Sequence, residues 1–249
     1  MKSIKKTKVI LGIFLLVFVL ALGGFFLFRG EKTEEEVLPT PAPRVFVETT
    51  LAERPFVSLT PSSDGHWLTI EVSRIQDAEE LEYELTYETS EGLTQGAVGG
   101  PFSLEGKETY EKKILLGTES RGHYRYHEGV DRGSLMIRLD GGKGPRKFTS
   151  DFILQEGGDE LVSADDQFRL SADLERDQFY LVMMTMGLPA EVDGEVLVGP
   201  YGIFTSGRAS LVEGKVEISN TNRVLYWNTT DWQEAEAGAI DYLGVFVSE

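Results

Sequence analysis

The chain has 249 residues, no cysteine and a formal net charge of −17 at pH 7. Five of its 24 lysines and arginines lie in residues 1–29, whereas all 41 acidic residues follow them. So acidic a surface excludes nucleic acid as a partner, because phosphate binding depends on lysine and arginine, and the lack of cysteine excludes disulfides and a cysteine nucleophile.

The first predicted element is a membrane span at Val9–Phe28, a run of uncharged, mostly apolar residues. A helix rises about 1.5 Å per residue, so this run matches the roughly 30 Å hydrocarbon core of a bilayer. A cleavable signal peptide is the alternative, with a weak cleavage site at Ala21-Leu22-Gly23. The apolar run continues through Phe28, which favours an uncleaved anchor whose partner is the lipid bilayer.

The flanking charges predict the orientation of this span. Four lysines and no acid precede it in residues 1–8, and lysine-rich flanks stay in the cytoplasm. We therefore expect a cell-membrane protein with a cytoplasmic tail (1–8), one transmembrane helix (9–28) and an extracytoplasmic remainder. Residues 29–43 are rich in glutamate and proline, which is typical of an extended linker.

Residues 44–157 show the alternation of an antiparallel β-sandwich. Apolar residues occupy every second position in three runs, and in a fourth run they share one parity around Ser150; such a pattern buries one strand face. These runs are Leu68–Val72, Leu81–Tyr87, Leu135–Leu139 and Phe148–Leu154. Glycine-rich turn signals separate them, including Gly99-Gly100-Pro101. About seven strands are expected in this domain.

Two of these segments also resemble a known family. Leu81–Gly92 is similar to the third strand and following turn of fibronectin type III and related immunoglobulin-like modules. Ser134–Leu139 with Phe148–Leu154 resembles the closing pair of strands in such modules. The resemblance implies an immunoglobulin-like topology and no activity.

Residues 158–249 are predicted to form a second, smaller β domain. The polar segment 155–160 marks the boundary, and nearly continuous apolar runs follow at Phe179–Met186 and Glu195–Thr205. Such runs fit strands buried on both faces, although the first could also be a short buried helix. A single fused sandwich is the alternative, and no internal repeat is detected to decide between them.

The sequence contains no clear catalytic or metal-binding motif. His123-Tyr124-Arg125-Tyr126-His127 is the one local cluster; in a strand its histidines would lie about 13 Å apart, too far to chelate one metal. We expect His123, Arg125 and His127 on an exposed face, Tyr124 and Tyr126 packed inward, and His66 solvated in a turn. No Asp-x-Asp-x-Asp-Gly calcium loop is present, so neither a metal nor a cofactor is predicted.

Four aromatic residues are the candidate ligand-binding set: Trp232, Trp227, Tyr201 and Tyr226. Together they could form a platform for sugar rings. Trp227 lies in an apolar strand and is expected to pack in the core, whereas Trp232 lies in a polar segment and is the better candidate for exposure.

These observations predict an all-β ectodomain behind one membrane anchor. Its function is predicted to be that of a non-enzymatic binding or structural module that contacts an envelope protein, itself or a surface glycan. The alternative is a membrane-tethered polysaccharide hydrolase, which would need two carboxylates about 5–10 Å apart in an aromatic cleft.

Overall fold

The computed structural model describes residues 44–249 except 220 and 222. The predicted tail, membrane span and linker lie outside these residues. Within the described part, no helix has the length and apolar character needed to cross a bilayer. Eighteen strands and two short 3-10 turns form its regular structure, which confirms the predicted all-β class.

A nine-stranded antiparallel sheet runs through the described part of the chain. Its strands come from both sides of the predicted boundary near Gly157. In order across the sheet they are β16 (Trp232–Glu234), β15 (Val224–Trp227), β18 (Val245–Ser248), β13 (Val198–Thr205), β12 (Phe179–Met184), β9 (Arg146–Glu156), β8 (Arg132–Asp140), β3 (Glu80–Glu88) and β4 (Thr94–Ser103).

Three smaller antiparallel sheets accompany it. The first contains β1 (Phe56–Pro61), β2 (Trp67–Ser73) and β5 (Tyr110–Leu115). The second contains β10 (Glu160–Val162), β11 (Phe168–Ala172), β14 (Ser210–Ile218) and β17 (Ala239–Tyr242). The third is a hairpin of β6 (Gly117–Ser120) and β7 (His123–Tyr126).

Strand β12 belongs to two hydrophobic cores. Leu181 and Met183 join the core formed with the first small sheet, whereas Tyr180 and Val182 join the core formed with the second. Because successive side chains of a strand point to opposite faces, the two small sheets cover opposite faces of the large one. The apolar run at Phe179 is therefore a strand buried on both faces, as predicted, and not a helix.

The second core contains only residues that follow the predicted boundary near Gly157, whereas the first core and the nine-stranded sheet contain residues from both sides of it. Strands β9 and β12 pair across it, from Phe179 with Glu156 to Met183 with Phe152. Contacts between Cα atoms place Arg44–Glu249 in one compact unit.

The two small sheets repeat one arrangement. In each, a hairpin (β1–β2 or β10–β11) pairs through its second strand with a later strand (β5 or β14). A hairpin of the large sheet, β3–β4 or β12–β13, lies between them in the chain. The described structure thus contains an internal repeat that the sequence analysis missed.

Both repeated hairpins turn through the same hydrogen bonds. In residues 62–67 the Ser62 hydroxyl accepts from the Trp67 amide (3.0 Å), and Asp64 accepts from the His66 amide (3.1 Å). In residues 163–168, Ser163 accepts from the Phe168 amide (3.0 Å), and Asp165 accepts from the Gln167 amide (3.2 Å). The fourth residue has positive φ in both turns. The shared pattern is Ser-x-Asp-x-x-aromatic.

Candidate functional site

Two members of the predicted aromatic set lie in the second core. Tyr201 is 1% exposed and Tyr226 is 5% exposed. Burial raises the pKa of both phenols, and their hydroxyls donate to carboxylates, Tyr201 to Asp165 (2.8 Å) and Tyr226 to Asp241 (3.0 Å). Rings in these positions do not present a face to a ligand at the surface.

The two tryptophans are brought together as cross-strand partners on β15 and β16. Their ring centroids lie 5.6 Å apart, and both side chains are half-buried. Trp232 packs against a small cluster that contains Leu225 and Val247, and its indole Nε1 is buried without a partner in the described residues. Trp232 was expected to be more exposed than Trp227, but the two side chains are both half-buried.

Trp227 instead lines a groove beside the edge strand β1, and we call this the Trp227 groove. The groove has a volume of about 310 Å³. Phe56, Phe204 and Tyr242 supply further aromatic wall. Glu71 is the only carboxylate among the described residues that line it, and this carboxylate accepts a hydrogen bond from Ser58 (3.2 Å).

A second group of aromatic rings lies on the β6–β7 hairpin, where the sequence analysis expected core. Tyr124 is 48% exposed and Tyr126 is 38% exposed, so the prediction that they pack inward is wrong. Tyr126 stacks on His66 with centroids 4.0 Å apart and planes 3° apart. Trp67 meets Tyr124 edge-on at 5.5 Å. We call these four residues, His66, Trp67, Tyr124 and Tyr126, the aromatic ladder.

Local sequence explains how the hairpin presents this ladder. Arg121 and Gly122 both have positive φ, which is the requirement of the two-residue turn that best matches strand twist. Opposite Tyr126 stands Gly117, where a Cβ would overlap the carbonyl oxygen of Arg125. Glycine therefore allows the two strands to approach closely under the tyrosine rings.

Backbone hydrogen bonds dock the hairpin onto the sandwich. The Leu116 amide donates to the His66 carbonyl (2.8 Å), and the His127 amide donates to the Leu116 carbonyl (2.9 Å). The His127 Nδ1 lies 3.1 Å from the hydroxyl of Tyr87, a core residue of β3. These contacts hold β7 over the start of β2, so the ladder combines rings that are far apart in the sequence.

Polar groups border the ladder. The Lys113 ammonium lies 4.9 Å from the centre of the Trp67 ring, and Glu119 is the cross-strand partner of Tyr124. Asp64 accepts a hydrogen bond from the His66 amide and so adds a second carboxylate, next to His66. Hydrogen bonds from Ser62 and the His66 amide lower the pKa of Asp64 despite the opposing effect of burial, so it accepts hydrogen bonds as a carboxylate.

An open groove of about 470 Å³ lies between the β6–β7 hairpin and the loop that joins β3 to β4. Tyr126 lines it together with Leu93, Arg125 and Glu128. Tyr126 therefore belongs both to the ladder and to the lining of this groove.

This arrangement has the groups of a binding surface. Aromatic faces contact the C–H surfaces of a ligand, and the surrounding ammonium and carboxylates exchange hydrogen bonds with its hydroxyls. Among residues 44–249, apart from 220 and 222, no three His, Asp or Glu side chains lie close enough to hold a metal ion.

The signal for the ladder was present in the sequence as a tyrosine alternation between Gly122 and Gly129. It was assigned to the wrong face because an alternating strand does not reveal which of its faces is buried. No family model, curated protein or solved structure gives a match to this chain, so its candidate function follows from the geometry above.

Proposed function

We propose that the chain is a membrane-anchored cell-surface protein whose β domains form a non-enzymatic module that binds a surface glycan. In this proposal residues 9–28 cross the bilayer with the N-terminus in the cytoplasm, and the module has immunoglobulin-like sandwich character. The ligand contacts the aromatic ladder. An envelope protein is the alternative ligand for the same module.

The exposure of Tyr124 and Tyr126 is the observation that supports the glycan. Large side chains at 48% and 38% exposure lose contact with water when a ligand covers them, which favours binding. Sugars present both C–H faces and hydroxyls, and the ladder offers rings beside Lys113, Glu119 and Asp64. A purely apolar protein surface would leave those three charged groups without partners.

The hydrolase alternative applies to the Trp227 groove. Glycoside hydrolysis uses two carboxyl groups on either side of the scissile bond. Glu71 is the single carboxylate among the described residues lining this groove. The described lining of this groove therefore does not provide the pair of carboxylates that glycoside hydrolysis uses.

The test is binding of the full-length chain, in detergent micelles, to polysaccharides prepared from the host envelope. We expect Tyr124→Ala to weaken binding about tenfold, since a stacking contact contributes about 0.5–1.5 kcal/mol beyond the area it buries. Tyr124→Phe should bind as the wild type does. The melting temperature should stay unchanged, because the Tyr124 ring is half exposed.

Trp227→Ala is the matched control, since it removes a larger aromatic ring from the Trp227 groove, away from the aromatic ladder. Full binding by this variant would agree with the proposal. Loss of binding in Trp227→Ala but not in Tyr124→Ala would move the ligand to the Trp227 groove. Shortening of the polysaccharide chains by the wild-type protein would establish the hydrolase instead.

A further inference from the structure

Strand β4 is an outer strand of the nine-stranded sheet, and no described residue pairs with its free side. An outer strand presents unpaired N–H and C=O groups that can pair with another strand. β4 has ten residues, whereas every other outer strand in the described part has six or fewer. It is therefore the longest free edge of the described structure.

Residues 94–99 of this edge lack the features that usually prevent pairing, and the register shift against β3 lies beyond them, between residues 99 and 102. Native edges are protected by charged side chains, by proline or by short length. β4 (TQGAVGGPFS) contains no charged residue, and its single proline lies near its C-terminal end. By comparison, the outer strand β5 carries Lys112 and Lys113. Val98, near the middle of β4, is 77% exposed.

The charge distribution favours a second copy of this chain as the occupant. Acidic residues outnumber basic ones by 41 to 24 in the whole chain, so two copies repel each other over most of their surfaces. β4 itself carries no charge, so pairing two of these strands sets no like charges directly opposite each other. An antiparallel pair of identical edges is also self-complementary, because each edge offers the other the same donors and acceptors.

The chain itself provides a precedent for this kind of joint. Strands β9 and β12, from the two halves of the described structure, pair edge to edge and create the nine-stranded sheet. Pairing of two β4 strands would extend the same sheet by the same means.

We propose that the chain forms a two-fold symmetric dimer by antiparallel pairing of two β4 strands. Val98 lies at or next to the two-fold axis, and the two large sheets become one continuous sheet. Glu84, the cross-strand partner of Val98 on β3, then flanks the valines from each side. Added salt screens these carboxylates and strengthens the dimer.

Cross-linking tests the pairing directly, because the natural chain has no cysteine. Single cysteines are introduced at Gln95, Ala97 and Val98 of the full-length chain in detergent micelles and oxidised; Gly96 and Gly99 are left unchanged, because a Cβ there would overlap the Leu85 carbonyl oxygen or the Tyr83 ring. Antiparallel partners lie about 4.5–5.5 Å apart at Cα, within the range of a disulfide. We expect a cross-linked dimer at one or two adjacent positions, and these mark the axis.

Val212→Cys is the control, because Val212 is fully exposed and lies on a different sheet, in the irregular stretch of β14 between Ser210 and Gly214. It reports cross-linking by random collision. Yields on β4 that do not exceed the Val212→Cys yield at any of the three positions would overturn the proposal.

Sedimentation of variants without cysteine gives an independent readout. Val98→Glu places two more carboxylates between the Glu84 side chains and should raise the dimer dissociation constant at least tenfold. Val212→Glu adds the same charge elsewhere and should leave that constant unchanged. A wild-type chain that stays monomeric at high salt, or a Val98→Glu variant that dimerises as tightly as the wild type, would contradict the pairing.

Discussion

The carboxylate of Asp165 shows how single residues stabilise the second core. Burial raises its pKa, but hydrogen bonds from the Ser163 hydroxyl, the Tyr201 hydroxyl and the Gln167 amide outweigh burial and lower it overall. Burial and the bond to Asp165 both raise the pKa of Tyr201. The pair is therefore a carboxylate that accepts from a neutral phenol over a wide range of pH.

We predict that Tyr201→Phe lowers the free energy of unfolding by about 1.5–3 kcal/mol at pH 7, the usual contribution of a hydrogen bond to a charged group. Because the folded pKa of Asp165 lies below its unfolded value of about 3.9, its stabilisation is complete above that pH and is lost as pH falls through the folded pKa. The difference from wild type should therefore shrink in acid. Urea unfolding from pH 7 to pH 3 measures it.

Tyr180→Phe is the control for this prediction. Tyr180 is buried in the same core, but its hydroxyl donates to the neutral amide of Gln178 (3.3 Å). Its effect should not vary with the ionisation of Asp165. A loss of stability in Tyr201→Phe that stays constant down to pH 3 would show that the bond to Asp165 is not the source.

Arg146 marks the limit of sequence reasoning at this scale. It is 1% exposed and donates to the carbonyls of Gln76 (2.7 Å) and Asp77 (2.9 Å). Arg146 lies on the same face of β9 as the buried Phe148 and Phe152, so the alternation of the strand indicates that position 146 is buried. Sequence alone does not identify a buried arginine there, because the carbonyl partners that make its burial possible come from a distant loop.

At the scale of elements, the repeated turns allow a comparison within one molecule. We predict that Ser163→Ala lowers the free energy of unfolding by about 1–3 kcal/mol, because it leaves the amide of the fully buried Phe168 without a partner. Ser62→Ala removes the same bond from the half-buried Trp67, whose amide can bind water instead. Its effect should be smaller, about 0.5–1 kcal/mol.

Thermal and urea unfolding of the two variants checks this order. Ser63→Ala is the control. Ser63 occupies the second position of its turn, where the other turn already has alanine (Ala164), so this substitution should be neutral. Equal losses in Ser62→Ala and Ser163→Ala would show that burial of the amide does not set the cost.

Strands with one buried face were the elements most accessible to prediction. The alternation at Leu81–Tyr87 predicted β3, and the alternation at Leu135–Leu139 predicted β8, because each strand has water on its other face. The glycines and proline at residues 99–101 were wrongly taken as a turn, and they lie inside β4. An edge strand needs partners on one side only and therefore tolerates such residues.

At the scale of the whole molecule, sequence periodicity predicted sheets but not how they share strands. Pairing of β9 with β12 depends on which edges meet after folding, and no local pattern encodes that choice. The alternation of β12 between two cores explains why its sequence looks continuously apolar. The Ser-x-Asp-x-x-aromatic pattern, compared between the two halves, would have revealed the repeat.

The shared strand leads to a prediction about the predicted domain boundary. A fragment of residues 44–157 lacks Leu181 and Met183, which are buried in the first core. Loss of a large buried side chain costs about 2–5 kcal/mol, and whole domains are stable by only about 5–15 kcal/mol. We therefore expect this fragment not to unfold cooperatively, whereas residues 44–249 should show a cooperative transition.

Circular dichroism during heating distinguishes the outcomes. The matched fragment 44–186 restores β12 and should recover part of the first core. A sharp transition in the 44–157 fragment alone would instead establish two independent domains on either side of Gly157.

The pairing of β9 with β12 also determines what a break in the backbone would do. A protein cut between Gly157 and Gly158 keeps the hydrogen-bonded ladder between these strands and the side chains that β12 contributes to each core. Such a nicked molecule would travel as a single particle through a sizing column and separate into two bands only in a denaturing gel. Covalent continuity at this loop and physical continuity of the particle are thus independent properties.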